Sequence, residues 1–205
     1  MIEKLLVPTN LNIDRILEEL SSVGATSVKL LDEDFRLALL EEAEGYVYQP
    51  EDEIVGSGDR IVRQQVSSFD NFPQNSGYIL LKNSFQDLLE QRLAQLEIYP
   101  FETALNFNSL ILQRYEENSI GITPHKDGLS YINLVCVFII GGRGRFYVCS
   151  DRSGREAREI DASPGNVIFM KAPGVFSPED NRPFHFVTDI KEARYTFGLR
   201  QKKGL

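Results

Sequence analysis

The sequence predicts an α+β protein that is mainly β, with N-terminal helices followed by an antiparallel sandwich or jelly roll. Before about residue 100, apolar residues recur at helical spacing. After residue 106, seven short runs rich in β-branched and aromatic residues alternate with turn-forming residues. No helical pattern separates these runs, which favours an antiparallel jelly roll over a parallel βαβ sheet.

Three helices are predicted in the first half. "NIDRILEELSSVG" has Asp14 as a possible N-cap and Gly24 as its stop, and "DEDFRLALLEEAEG" is the second helix. In "NSFQDLLEQRLAQLE", Ser84 and Asp87 have capping-box spacing. One face of this third helix carries an apolar stripe that we expect to pack in the core: Phe85, Leu88, Leu89, Leu93 and Leu96.

Residues 47–76 are polar and rich in Gly, Ser and Asp, with a short strand candidate at 60–66. A connection of this length with little structure of its own is either mobile or functional. A disordered surface loop and a substrate lid both remain open at this point.

The seven β-type runs are "NSLILQRY", "YINLVCVFII", "GRFYVCS", "AREIDA", "GNVIFMKA", "PFHFVTDI" and "ARYTFGLR". A hairpin turning near Gly142 and Arg143 would place Cys136 and Cys149 opposite each other. We expect two reduced thiols, since two cysteines do not make a disulfide framework. A second hairpin turning near Lys191 would place Arg194 opposite residue 188.

Length and composition predict one domain over residues 1–205, with 1–105 as the helical region and possible lid and 106–202 as the β core. No apolar run is long enough to cross a bilayer and no secretion signal is visible, so we expect a cytoplasmic protein without a membrane partner. The net charge of −8 opposes non-specific attraction to nucleic acid.

The two histidines of the chain suggest a metal site. His125 precedes Asp127 by two residues after a turn containing Gly and Pro, and His185 lies in a strand-like run. Two imidazoles and one carboxylate leave up to three coordination positions open, which suits iron(II) that also binds a cosubstrate and oxygen. A structural zinc site would use four protein ligands.

A chemical face is predicted on the last strand, because Arg194, Thr196 and Arg200 share one side of it. With the predicted hairpin, Arg194 would lie about 10 Å from His185, where it could bind the far carboxylate of a metal-chelating five-carbon dicarboxylate. Arg200 would lie toward the mouth and pair with the metal-site carboxylate or with substrate.

Gln113 and Tyr115 lie two residues apart on the strand that leads into the metal loop. Their polar tips could orient the carboxylates of the cosubstrate. A buried Tyr hydroxyl bonded to backbone is an equal alternative for the tyrosine.

Together these residues resemble the iron(II)- and 2-oxoglutarate-dependent oxygenases, more narrowly the AlkB-like branch, over roughly residues 108–200. The resemblance implies a double-stranded β-helix (cupin-like jelly roll) as the catalytic core at 106–202. The implied iron ligands are His125, Asp127 and His185. Arg194, Tyr115, Gln113 and Arg200 are the implied 2-oxoglutarate contacts, with Arg200 also close to the metal.

The implied reaction is decarboxylation of 2-oxoglutarate to succinate and CO2, coupled through O2 to hydroxylation or oxidative demethylation of a substrate, with ascorbate as a possible reductant. The substrate remains open among alkylated nucleic acid, protein and small molecules. Gly128 and Leu129 stand where nucleic-acid repair members often carry an acidic or amide residue. Because the chain lacks tryptophan, base stacking would need a tyrosine or a phenylalanine, for example Phe69 or Phe72. Gln113 also departs from the asparagine that relatives often have.

Two other functions fit the same sequence. One is a metal- or 2-oxoglutarate-binding sensor module of the same fold without turnover. The other is a metal-free β-sandwich binding protein in which His125 and His185 are structural.

Overall fold

The computed structural model describes residues 5–176 and 179–204, so both ends of the predicted domain 1–205 lie outside the described part. Three helices precede most of the β structure: α1 (Ile13–Ser22), α2 (Glu33–Glu44) and α3 (Gly77–Leu93). Two short 3₁₀ turns accompany them at Pro8–Asn10 and Gly58–Arg60. No helix in the described residues is long and apolar enough to cross a membrane.

All three predicted helices are present, but two of their starts differ. Asn12, not Asp14, caps α1, and its side chain accepts a hydrogen bond from the Arg15 backbone N–H. Helix α3 begins at Gly77 with Ser76 as its cap. Ser84 therefore lies inside the helix and is buried, so the capping-box interpretation was wrong.

The predicted apolar stripe of α3 is confirmed as core. Phe85, Leu88, Leu89 and Leu93 are all buried, and Leu96 packs beside them. Phe85 makes an edge contact with Phe138 of the sheet at a ring-centroid distance of 4.8 Å. The stripe therefore fixes α3 against the outer face of the β core.

The β core lies in two antiparallel layers. The main layer has the order β1-β10-β8-β11-β6-β5-β2, while β9 pairs with β8 and β7 pairs with β11 in the smaller layer. The strands are β1 (Ala25–Lys29), β2 (Gln49–Pro50), β3 (Ile54–Val55), β4 (Val62–Arg63), β5 (Ser67–Phe69), β6 (Ser109–Tyr115), β7 (Ile122–His125), β8 (Tyr131–Cys149), β9 (Arg158–Ile160), β10 (Asn166–Lys171) and β11 (Phe184–Lys202).

Strand β8 is continuous where a hairpin was predicted. Gly142, the expected turn residue, has φ +77°, and a Cβ at this position would lie 1.9 Å from the Ala193 carbonyl oxygen. The glycine therefore accommodates an irregularity at which β8 passes from one layer to the other. Cys136 pairs with a residue near the end of β11 and Cys149 with one near its start, so the two free thiols do not face each other.

Strand β11 is also continuous, so the predicted hairpin near Lys191 was wrong. Arg194 is the register partner of Tyr115 on β6 rather than of residue 188. The ladder with β8 shifts register between Thr188 and Glu192, where Asp189 has φ +55°. This irregularity shifts the alternation of side chains by one residue.

The shift decides which residues of β11 share the interior. Val187 and Ile190, three residues apart, both pack in the apolar cluster between the two layers. Without the shift, His185 and Arg194 would point to opposite faces, because their positions differ by an odd number. With it, both side chains line one cavity.

The segment 47–76 is not structureless. The strand predicted at 60–66 is reduced to β4, which pairs with β3 as a separate two-stranded sheet, while β2 and β5 join the edge of the main layer. Phe69 and Phe72, near the end of this segment, pack against Tyr46 in an aromatic cluster. Both are partly buried against the core, and neither lines the cavity that contains His125 and His185.

Candidate active site

The two histidines meet across the smaller layer. His125 ends β7 and is the register partner of His185 on β11, with ring centroids 4.3 Å apart. Asp127 follows in the next turn. One ligand atom from each of these three side chains lies within 4.8 Å of the others, which is a spacing that one metal ion can bridge.

Backbone carbonyls orient both imidazoles. Nδ1 of His125 lies 2.9 Å from the Thr123 carbonyl oxygen, and Nδ1 of His185 lies 3.4 Å from that of Pro183. With Nδ1 donating to a carbonyl, Nε2 of each ring is free to coordinate, as in metal sites whose ligands are held from behind. Gly121 makes the tight approach of β7 possible, because its φ is +74° and a Cβ would lie 2.1 Å from the Val187 carbonyl oxygen.

The protonation states favour cation binding. Burial and the neighbouring His185 lower the pKa of His125 to about 4, and burial also lowers the pKa of His185. Burial alone would raise the pKa of Asp127, but Arg200 and the two imidazoles outweigh it and lower the pKa of that carboxyl. Near neutral pH the site therefore presents two neutral imidazoles and one carboxylate.

Two arginines hold Asp127 in place. Arg200 Nη2 lies 3.9 Å from Asp127 Oδ1, and the Arg200 guanidinium stacks 5.2 Å from the centre of the Tyr131 ring. From the other side, Arg182 donates to the Asp127 backbone carbonyl while Asp180 binds the remaining edge of its guanidinium at 2.6 and 2.7 Å. The loop before β11 thus clamps the loop after β7.

Arg194 lies deeper in the same cavity. Its side chain is 1% exposed and its guanidinium carbon lies 5.6 Å from the centre of the Tyr115 ring. Within the described chain, Nε and Nη2 of Arg194 have no hydrogen-bond partner. Burial lowers the pKa of Arg194 to about 10, so the group stays charged at neutral pH. A buried, unpaired guanidinium is costly and matches an anionic ligand such as a carboxylate.

Gln113 and Thr196 complete the floor of this cavity. They are register partners on β6 and β11, two residues along each strand from the pair Tyr115 and Arg194. Thr196 is buried, and both side chains line the cavity. Burial raises the pKa of Tyr115, so its phenol remains a neutral hydrogen-bond donor beside the guanidinium.

The structure brings every sequence-predicted site residue into one cavity of about 380 Å³. Those residues are His125, Asp127, His185, Arg194, Arg200, Tyr115 and Gln113. Sequence reasoning did not assign roles to several neighbours: Thr196, Arg182, Glu51, Gln64, Lys126 and Arg152. Strand alternation had placed Thr196 on the arginine face, whereas nothing local to Arg182 or Glu51 signals that they reach the site.

Comparison with known proteins gives a structural match only. No protein-family profile and no curated protein sequence matches the chain. A prolyl hydroxylase from Trichoplax adhaerens, solved in complex with a hypoxia inducible factor oxygen degradation domain peptide fragment, matches with a TM-score of 0.67 at 13% identity, covering 92% of this chain and 88% of that chain.

Two bacterial structures match similarly. A prolyl-4-hydroxylase from Pseudomonas putida has a TM-score of 0.62 at 15% identity, covering 94% of this chain and 100% of that chain. An oxidoreductase of the 2OG-Fe(II) oxygenase family from Burkholderia pseudomallei has a TM-score of 0.60 at 15% identity, covering 93% and 90%. The likeness confirms the predicted fold class, a mainly β chain with a jelly-roll core. These matches do not confirm the AlkB-like branch.

Proposed function

We propose that this protein is an iron(II)- and 2-oxoglutarate-dependent dioxygenase that hydroxylates a polypeptide. The observation that carries the proposal is one cavity holding two complementary parts. At one end, His125, Asp127 and His185 form a three-ligand cluster, and deeper inside lies the unpaired guanidinium of Arg194. A dicarboxylate that chelates a metal with one end and needs a cation for the other fits this arrangement.

The residues divide the work as follows. His125, Asp127 and His185 would hold iron(II), which when bound supplies the oxygen chemistry that couples decarboxylation of 2-oxoglutarate, to succinate and CO2, to hydroxylation of a C–H bond. Arg194 binds the far carboxylate of 2-oxoglutarate, and Tyr115 donates to the same group. Three protein ligands leave positions for the cosubstrate and for O2.

Arg200 keeps the Asp127 carboxylate ionised and oriented toward the metal position, which its 3.9 Å approach to Oδ1 supports. Gln113 and Thr196 border the cosubstrate from the strand floor. The apolar residues Val137, Phe146 and Val187 also line the cavity and limit water around the reacting groups.

Two substrate classes are compatible with the same oxygen chemistry: an N-methylated substrate that is demethylated and a polypeptide that is hydroxylated. Oxidative demethylation rests on the resemblance to the AlkB-like branch, which includes two arginines six residues apart, Arg194 and Arg200. Hydroxylation of a polypeptide is favoured by the prolyl hydroxylases among the structural neighbours. It is also favoured by the chain's net charge of −8 and by the packing of Phe69 and Phe72 away from the cavity.

A binding experiment tests the cosubstrate part without turnover. Mn(II) in place of iron(II), under anaerobic conditions, allows 2-oxoglutarate to be titrated calorimetrically into wild type and into Arg194→Gln. We expect binding by wild type that requires Mn(II) and is at least about tenfold weaker in the variant. Binding that ignores both Mn(II) and Arg194 would contradict the proposed site. A sensor module would bind 2-oxoglutarate without producing succinate.

The cytoplasmic location stays a prediction.

A further inference from the structure

A second cavity lies beside the candidate active site. It measures about 640 Å³ and is walled by two tyrosines, Tyr46 and Tyr48, together with Pro50 and Val66. We call it the Tyr48 groove. Strand β6 separates the two cavities, because it presents Arg114 to the groove while its neighbours Gln113 and Tyr115 line the active-site cavity.

The two cavities share one residue. Glu51 lines both of them, and the consecutive residues Gln64 and Gln65 line the active-site cavity and the groove respectively. The groove and the active-site cavity thus adjoin at Glu51. A bound chain that passes Glu51 would contact both cavities.

The charge of the groove is unbalanced. Four carboxylates line it, Glu51, Glu53, Glu116 and Glu117, against the single cation Arg114. Arg114 already pairs with Glu116 at 3.0 Å. In the described ranges 5–176 and 179–204, no ion pair joins the other three carboxylates, and the Glu53 carboxylate has no hydrogen bond either. The groove therefore offers about three uncompensated negative charges to a ligand.

The aromatic wall of the groove already makes a cation–π contact with Arg114. The guanidinium carbon of Arg114 lies 6.0 Å from the centre of the Tyr48 ring and 5.9 Å from that of Tyr195. Tyr46 stacks on Phe69 at 4.0 Å and forms the adjoining surface. Tyrosine faces beside carboxylates suit basic side chains and extended, proline-containing backbone.

We propose that the Tyr48 groove binds a basic segment of the polypeptide substrate, next to the residue that enters the active site. This inference rests on the proposed function and names its substrate class. The occupant is a polypeptide because the groove adjoins the active-site cavity at Glu51, has aromatic walls for an extended backbone, and repels a phosphate backbone.

The test uses a fluorescein-labelled peptide of lysines and prolines and the same peptide with glutamate in place of lysine. Fluorescence anisotropy measures binding to the protein with Mn(II) and 2-oxoglutarate and, separately, without them. We expect the lysine peptide to bind more tightly than the glutamate peptide, and Glu53→Gln/Glu117→Gln to weaken the lysine peptide about fivefold or more. Glu18→Gln/Glu97→Gln removes the same charge elsewhere on the surface and should change binding little.

Charge reversal sharpens the result. Glu53→Lys/Glu117→Lys should bind the glutamate peptide more tightly than the lysine peptide, and an unchanged preference would overturn the inference. Equal loss in the two glutamine variants would assign the effect to overall charge and also overturn it. Spermine and a single-stranded oligonucleotide serve as competitors. If either binds the groove more tightly than the lysine peptide, the polypeptide assignment fails.

The two proposals fail separately. Binding of 2-oxoglutarate by wild type without discrimination between the peptides would leave the dioxygenase proposal standing and remove the groove. The protein could instead fail to bind 2-oxoglutarate and still prefer the lysine peptide without Mn(II). That result would leave the groove standing as a peptide site and remove the dioxygenase proposal.

Discussion

Arg194 and Tyr115 face each other across β11 and β6, with the guanidinium carbon 5.6 Å from the ring centre and the arginine side chain 1% exposed. The phenol offers its face, yet no carboxylate in the described chain neutralises the cation. The fold thus buries a charge that has no ion-pair partner among the described residues. This relationship has opposite consequences for stability and for ligand binding.

Arg194→Met should therefore stabilise the ligand-free protein while weakening 2-oxoglutarate. A side chain of similar volume without the buried charge is expected to raise the free energy of unfolding by about 1–4 kcal/mol. The affinity for 2-oxoglutarate should fall at least about tenfold, because the far carboxylate loses its partner. Urea unfolding and calorimetry measure the two effects. Arg143→Met, at an exposed ion pair with Glu192, is the control and should leave both nearly unchanged. Unchanged 2-oxoglutarate affinity in Arg194→Met would move the dicarboxylate site elsewhere.

Asp127→Ala should abolish tight metal binding without unfolding the protein. The carboxylate is one of the three ligands proposed within the described residues, so two imidazoles alone should not retain the ion. Metal content after dialysis against iron(II) or Mn(II), beside circular dichroism, is the measurement. Asp14→Ala, which removes an exposed carboxylate from the first turn of α1, is the matched control. Full metal occupancy in Asp127→Ala would exclude this residue as a ligand.

Arg182→Gln should weaken metal binding although Arg182 hydrogen-bonds the backbone of Asp127 and not its carboxylate. Its guanidinium is held by Asp180 and donates to the backbone carbonyl of Asp127, so its loss frees the ligand loop. Changes behind metal ligands typically cost about 10–100-fold in affinity. Titration of Mn(II) into wild type and variant measures the change. Arg155→Gln breaks an exposed arginine–aspartate pair with Asp151 at 3.0 Å, away from the metal-ligand cluster, and should have no effect. Equal losses in both variants would show a general effect of removing an arginine.

Acid should destabilise the metal-free protein through its histidines. Burial and the neighbouring His185 lower the pKa of His125 to about 4, and burial also lowers the pKa of His185, whereas unfolded histidines titrate near 6.5. As pH falls below about 6.5, the unfolded chain binds protons that the folded chain excludes. The free energy of unfolding should fall by up to about 1.4 kcal/mol per pH unit for each histidine, until His125 itself titrates near pH 4.

Urea unfolding between pH 7 and pH 5 measures this slope, above the range in which most carboxylates titrate. The double variant His125→Gln/His185→Gln should show a much shallower dependence. If its slope equals that of wild type, other groups carry the pH dependence.

Local patterns predicted the helices and most of the residues that line the candidate site. Helical spacing identified the buried stripe of α3, and strand alternation placed Arg194 and Thr196 on one face. The spacing of His125 and Asp127 in a turn, with His185 in a strand, predicted the cluster that the structure assembles.

Long-range geometry was not predictable in the same way. The glycines near Gly142 resemble a hairpin turn, yet they accommodate an irregularity in a continuous strand. Whether such a sequence turns or continues depends on its pairing with β11, which local sequence does not show. The register shift at Asp189 likewise arises from pairing with β8. The predicted N-cap of α1 was wrong because two nearby polar residues could both cap the helix. Asn12 is the cap, and Asp14 lies in the first turn. The residues that reach the site from 47–76 depend wholly on tertiary packing.

The measurement that tests the central claim most directly is the formation of succinate from 2-oxoglutarate by purified protein with iron(II), ascorbate and O2, without added substrate. His125→Ala and an anaerobic sample run beside it. The account predicts succinate that requires both O2 and His125. Succinate formed equally by His125→Ala, or no succinate together with no binding of 2-oxoglutarate to the metal-loaded protein, would contradict it.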